Sequence, residues 1–161
     1  MKTKLSVAVV ISAMFLGGCL VVPGPAYSGS NFGTVALSTG FMPDPHVVTG
    51  RSGGGQPAES VISSTCRGHI TAQPDHLFVA QTGFNFLRIM ASSTGDTTLI
   101  IQAPDGSFLC DDDSGSNLNP RVEGSFAPGT YNVWIGSYGE GEYHDYRLGF
   151  TEMQHITDAN F

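Results

Sequence analysis

Past its first twenty residues, this chain places apolar side chains in short runs broken by turn residues, and no segment carries a convincing helical period. Val35 and Leu37 alternate with Thr34, Ala36 and Ser38, which predicts an edge strand within 32–41. A second, shorter strand is predicted over His46–Thr49. Further strands are predicted over His69–Ala72, Leu77–Ala80 and Phe84–Ser92. In the last of these, Phe86 and Met90 point one way and Leu87, Ile89 and Ala91 the other, the pattern of a central strand. Thr97–Ala103 is β-branched and apolar throughout, which predicts a buried strand. Pro104-Asp105-Gly106 then turns the chain into a strand over Ser107–Cys110. Proline sets φ at one corner, and glycine tolerates positive φ at the next. Arg121–Phe126 and Tyr131–Tyr138 follow, joined by Pro128-Gly129. Last comes His144–Thr151, where Tyr146, Leu148 and Phe150 alternate with polar or small residues. Eight or nine strands with short turns make an antiparallel all-β domain. Residues 152–161 have little pattern and are expected to fray.

The N-terminus is of another kind. Lys2 and Lys4 precede an apolar run, Leu5–Leu16, too short to span a bilayer. It ends in Leu16-Gly17-Gly18-Cys19, which resembles the lipobox of bacterial lipoprotein signals. That resemblance implies a diacylglycerol on Cys19, anchoring by acyl chains at about 0.8 kcal/mol per buried CH2, and residence in the cell envelope. The other reading is an ordinary secretory signal with an incidental cysteine. Leu20, where an aspartate would oppose export, favours the outer membrane by resemblance to the enterobacterial sorting rule. Val21–Asn31 is rich in Pro, Gly and Ser and reads as a tether, reaching at most roughly 35–40 Å. The organisation is therefore a signal over 1–18, a tether over 19–31, a β domain over 32–152 and a tail over 153–161.

Charge narrows the function. Beyond Lys4 the cations are Arg51, Arg67, Arg88, Arg121 and Arg147, against 14 acidic residues. Such an acidic chain disfavours nucleic acid and electrostatic docking on anionic lipid, while permitting divalent cations. With no lysine after residue 4, neither a P-loop nor a Schiff base can form. Ser52 precedes glycines as protease nucleophiles do, yet Arg51 stands where that motif has an acid, and no partnered His and Asp are marked. The five histidines show no i, i+4 pairing. Nothing in the chain reads as an enzyme.

The stretch from Asp96 to Tyr138 carries a resemblance. Asp96-Thr97-Thr98-Leu99, Pro104-Asp105-Gly106, Asp112-Asp113, Asn119 with Arg121, Pro128-Gly129-Thr130-Tyr131 and Gly136-Ser137-Tyr138 together are similar to the bacterial pre-peptidase C-terminal (PPC) domain family. The likeness spans roughly residues 68–151. It implies an antiparallel β-sandwich of about eight strands, jelly-roll or Greek-key-like, serving as an accessory module of exported enzymes. The expectation here is a PPC-like domain without a peptidase before it.

Three sets of candidate residues follow. Cys66 and Cys110 remain once Cys19 is assigned, an even pair in an exported chain. They read as a disulfide closing a loop that restricts the unfolded chain by roughly 4 kcal/mol; free buried thiols are the alternative. Asp111, Asp112 and Asp113 crowd one loop with Asn117, and Asp96 or Asp105 can approach. These oxygens suit Ca2+, and PPC-like domains include calcium binders; the alternative is a solvated loop whose aspartates cap turns. Trp134, Tyr138, Tyr143 and Tyr146 cluster around Gly139–Glu142 and read as an aromatic platform for sugar stacking, against a core role for a strand tryptophan. The functional expectation is a lipid-anchored envelope module that binds an envelope protein or a polysaccharide. Oligomeric state is left open.

Overall fold

The computed structural model describes Tyr27 and residues 29–161. The lipobox at Leu16–Cys19 and the tether before Tyr27 lie outside the described residues.

The described chain forms eleven strands and one helical turn: β1 (Thr34–Leu37), β2 (His46–Arg51), β3 (Gln56–Pro57), α1 (Ala58–Val61), β4 (His69–Ile70), β5 (His76–Ala80), β6 (Phe84–Ser93), β7 (Thr97–Gln102), β8 (Phe108–Asp111), β9 (Arg121–Phe126), β10 (Gly129–Ser137) and β11 (Asp145–Thr151). They make a β-sandwich. One sheet has seven strands and is built around β10, which pairs with β5 and then β4 on one side and with β7 on the other. The second sheet runs β2-β11-β6-β9. Every pairing is antiparallel except β1 with β5, where Thr34 to Leu37 run alongside Leu77 to Ala80.

Period-two alternation sorts the side chains into two cores. Tyr131, Val133 and Ile135 of β10, with Leu99 and Ile101 of β7, face the second sheet. There they meet Leu87, Ile89 and Ala91 of β6 and Leu148 and Phe150 of β11. Phe78 sits among four rings, Phe84, Phe126, Tyr131 and Phe150, with centroids 5.1–6.2 Å away. Trp134 and Ile100 face the other way. They form a smaller cluster with Ile70, Ala58 and Cys66, covered by α1 and the segment after it. All six residues of β7 are consequently buried. β6 is an interior strand, as its two apolar faces require.

Beyond the larger strand count and the parallel β1–β5 pair, sequence and structure differ over residues 56–70 and 152–161. Residues 56–70 carry the β3–β4 pair and the single turn α1, where the pattern shows only a strand over 69–72. A four-residue helix has no propensity signal to read. It is fixed by tertiary contacts, including Ala58 N–H on the Gly68 carbonyl and the Cys66–Cys110 disulfide. Residues 152–161, expected to fray, are bound to the sandwich instead. Arg88 donates to the carbonyls of Gln154 and Ile156, and Asp158 is buried against Ser116 and Asn119. These partners are far apart in sequence, so no local pattern marks them.

Candidate functional site

The acidic loop after β8 is organised by its own carboxylates. Asp111 Oδ2 accepts from the backbone N–H of Ser114 (3.1 Å) and of Arg121 (2.7 Å), and Oδ1 accepts from the Ser114 hydroxyl. Asp111 thus ties the start of the loop to the start of β9. Asp158 accepts from Ser116 N–H at 3.0 Å and from its hydroxyl. Asn119 Oδ1 accepts from Ser93 N–H at 2.9 Å. Asp105 is committed to its own turn through Ser107 N–H and Oγ, and those bonds hold its carboxyl below the usual range. Asp96 is raised, first by burial and then by the charges of Asp112, Asp113 and Glu142. Asn117 lies in the left-handed region at φ 54°. Among the described residues, no three His, Cys, Asp or Glu side chains converge to hold a metal ion. Of the set Asp96, Asp111, Asp112, Asp113 and Asn117, Asp111 has both carboxylate oxygens engaged by Ser114 and Arg121. Asp111 is turned inward as a cap.

The aromatic expectation divides. Trp134 is buried, packing edge-on against Tyr27 with centroids 5.3 Å apart. Tyr146 is also buried, and its hydroxyl shares a 2.9 Å hydrogen bond with His76 Nε2. Neither belongs to a platform, because strand alternation points one into each core. Tyr138 and Tyr143 are 50% and 49% exposed.

The structure brings Tyr143 together with two residues not singled out in the sequence, Phe32 and Arg51. Phe32 is 43% exposed, and its ring lies over His76 and Tyr146. The Arg51 guanidinium lies over the Tyr143 ring, 5.4 Å from its centroid, a cation–π contact. Phe32 and Arg51 are shared by two adjoining recesses, one of about 400 Å3 reaching to Tyr143 and one of about 760 Å3 running across β2, β11 and β6. Both volumes are in the range of small-ligand sites, roughly 300–1,000 Å3. Phe32 gave no signal because it stands at the head of an ordinary edge strand. Arg51 gave none because it reads as the entry to a glycine loop.

Beneath the recess lies a buried polar layer. Asp75 accepts from Asn31 Nδ2 (3.0 Å) and Ile135 N–H (2.7 Å). Burial pushes its carboxyl up to about 6, against the pull of those bonds. Burial pushes His76 down to about 4. Tyr146 is raised by burial and by the nearby Asp75 charge. Its ring needs the missing side chain of Gly50, since a Cβ there would lie 2.3 Å from the Tyr146 hydroxyl. Ser52 is buried. Its hydroxyl shares a 2.8 Å bond with Ser137 Oγ and accepts from His144 N–H at 3.0 Å. It ties β2 to β10 and to the loop before β11.

The Cys66–Cys110 disulfide is present, with Cα atoms 5.3 Å apart. Cys19 lies outside the described residues.

No family model matches the chain. Among solved structures it is similar to the pre-peptidase C-terminal domain of a collagenase from Bacillus anthracis. The TM-score is 0.46 at 10% identity, over 73% of this chain and 94% of that one. Among curated proteins it is 32% identical over 105 residues to an uncharacterized protein of Synechococcus elongatus, covering 65% of this chain and 73% of the relative. At that identity and coverage, the chain belongs to the family of this Synechococcus elongatus protein.

Proposed function

We propose that the protein is a non-catalytic binding module of the bacterial cell envelope, anchored by lipid on Cys19, with the Phe32–Arg51–Tyr143 recess as its contact surface. The observation that carries the reading is that recess: two half-exposed rings, Phe32 and Tyr143, and the Arg51 guanidinium lying over the Tyr143 ring. The polar groups beneath it hold the fold. Ser52 and Asp75 spend their side-chain oxygens on backbone and side-chain partners within the sandwich, which suits a rigid floor better than a reactive one.

The anchor is argued from sequence: basic start, short apolar run, small residues, cysteine. The partner class is an envelope protein or polysaccharide, the accessory role implied by the PPC resemblance, and the outer membrane is the compartment favoured by Leu20. The docking of Tyr27 on Trp134 shortens the expected tether. From Cys19 to Tyr27 the chain reaches at most roughly 28 Å, so the sandwich would work close to the bilayer. Calcium has no part in this reading. The test is metabolic palmitate labelling with membrane flotation. Wild-type chain is expected to label and float, and Cys19→Ser to do neither. A Cys19→Ser protein that still floats with membranes would overturn the anchor.

A further inference from the structure

We propose that the recess binds an acidic oligosaccharide, with Phe32 and Tyr143 stacking on sugar faces and Arg51 holding a uronic acid carboxylate. The inference rests on the reading of the recess as the contact surface, and names its ligand.

The charge argument comes from Arg51. Arg67 pairs with Glu59, Arg88 and Arg121 pair with Glu123, and Arg147 donates to the Phe161 carbonyl and lies over its ring. Among the described residues, Arg51 is left with an aromatic face alone. That contact leaves its guanidinium N–H groups without a side-chain or carbonyl partner among the described residues, at the recess it lines. A guanidinium fork matches a carboxylate bidentately. Asp145 is the register neighbour of Arg51 on β11 and lines the same recess. Its carboxylate accepts hydroxyl protons, and Thr49 lies one pleat along on the same outward face. The recess therefore offers Arg51 beside two exposed rings, with Arg147, Asp145 and the hydroxyls of Thr49, Ser92, Ser93 and Thr94 along its length. That set suits a ligand with a carboxylate, hydroxyls and apolar ring faces.

Geometry separates a sugar from an added peptide strand. β2 is an edge strand, and a peptide joining it would run along that edge. The larger recess instead crosses the face, from β2 over β11 to Ser92 and Ser93 of β6. A ligand lying there meets side chains, not unpaired backbone. The rigid polar layer of Asp75, His76 and Tyr146 under Phe32 keeps the aromatic wall in place without the ligand.

The test uses the full chain in detergent, titrated calorimetrically with trigalacturonate, with neutral cellotriose and with an acidic peptide. Trigalacturonate is expected to bind, and cellotriose roughly tenfold more weakly. Arg51→Gln should weaken trigalacturonate by roughly tenfold, as loss of a charge-assisted pair does, and leave cellotriose unchanged. Tyr143→Ala should weaken both. Both side chains are at the surface, and unchanged melting of each variant confirms its fold. Amide shifts on adding trigalacturonate should concentrate around Phe32, Arg51 and Asp145. Absence of trigalacturonate binding, equal affinity in both variants, or binding of the peptide in place of the sugars would each overturn the assignment. Palmitate labelling is read separately, so a chain that is lipidated yet binds no sugar sinks this inference and leaves the anchor standing.

Discussion

The seven-stranded sheet has two faces that are buried by different means. The inner face meets a second sheet, and its core joins residues from both, with Phe78 ringed by four aromatics. The outer face meets no sheet among the described residues. Trp134, Ile100 and Ile70 are covered by one helical turn, a loop and the Cys66–Cys110 bond. A large interface sustains itself by area. A cover of about ten residues buries too little to offset its own chain entropy, so a covalent tie takes the place of area.

The strongest way to break that comparison is to cut each face at its centre. Phe78→Ala removes the ring on which the inner core converges and should cost about 3–5 kcal/mol, the usual range for a buried aromatic, read from urea unfolding. Cys66→Ser with Cys110→Ser should cost roughly 2–4 kcal/mol. The distinguishing measurement is amide exchange. The disulfide variant should lose protection over 56–70 while β6, β11 and the inner strands keep theirs. Loss of protection throughout would show that the two faces are one cooperative unit.

The same contrast explains what could be read from sequence. The inner face was legible because alternation in β10 and β11 and the continuous run of β7 are local patterns. The turns at Gly106 and Pro128-Gly129 were legible because their chemistry is local too. The outer face was legible only in its Cys66–Cys110 bond, since the rest of its cover is a four-residue helix and a loop with no local signal. Trp134 shows the cost: the sequence left it between an exposed platform and a core role, and the cover decides for the core. The recess was legible only in part. Tyr143 stood out, but Phe32 and Arg51 reach it from 111 and 92 residues away along the chain, and no spacing joins them. The aspartates of the acidic loop were visible as charge, while their role as caps depends on Arg121 and Asp158 folding back to the loop.

A smaller effect sharpens the comparison at the edge where the recess meets the inner core. Asp75 is raised in the folded state from 3.8 to about 6. It therefore contributes stability fully present below pH 3.8 and lost as pH rises through about 6. His76 is lowered from 6.5 to about 4, and contributes stability present above pH 6.5 and lost as pH falls through about 4. Each change is worth roughly 3 kcal/mol at 1.36 kcal/mol per pKa unit. Their signs are opposite and their windows overlap, so between pH 4 and 6 they largely offset one another. Asp75→Asn should expose the histidine term alone, with urea midpoints falling steadily as pH drops from 6.5 to 4. A variant with the wild-type pH profile would show that Asp75 does not carry the compensating charge.

The least costly change falls on the acidic loop, which belongs to neither face. Asp111 accepts three hydrogen bonds, two of them from backbone N–H groups at opposite ends of the loop. Asp111→Ala removes a cap and should lower stability by about 1–2 kcal/mol. Asp113→Ala removes only an exposed charge next to like charges, and should leave the melting temperature unchanged or slightly higher. The pair of variants separates the two roles that crowded aspartates can play. In a calcium site both would matter, because the ion gathers every carboxylate, and wild-type chain would melt higher in millimolar Ca2+ than in EDTA by RT ln(1 + [L]/Kd). In a capped loop only Asp111 matters and the two melting curves superimpose. With Asp111 facing the backbone of Arg121 and no three acidic side chains converging among the described residues, superimposed curves are the expected result. A Ca2+-dependent rise that Asp113→Ala abolishes would show that the loop rearranges around an ion.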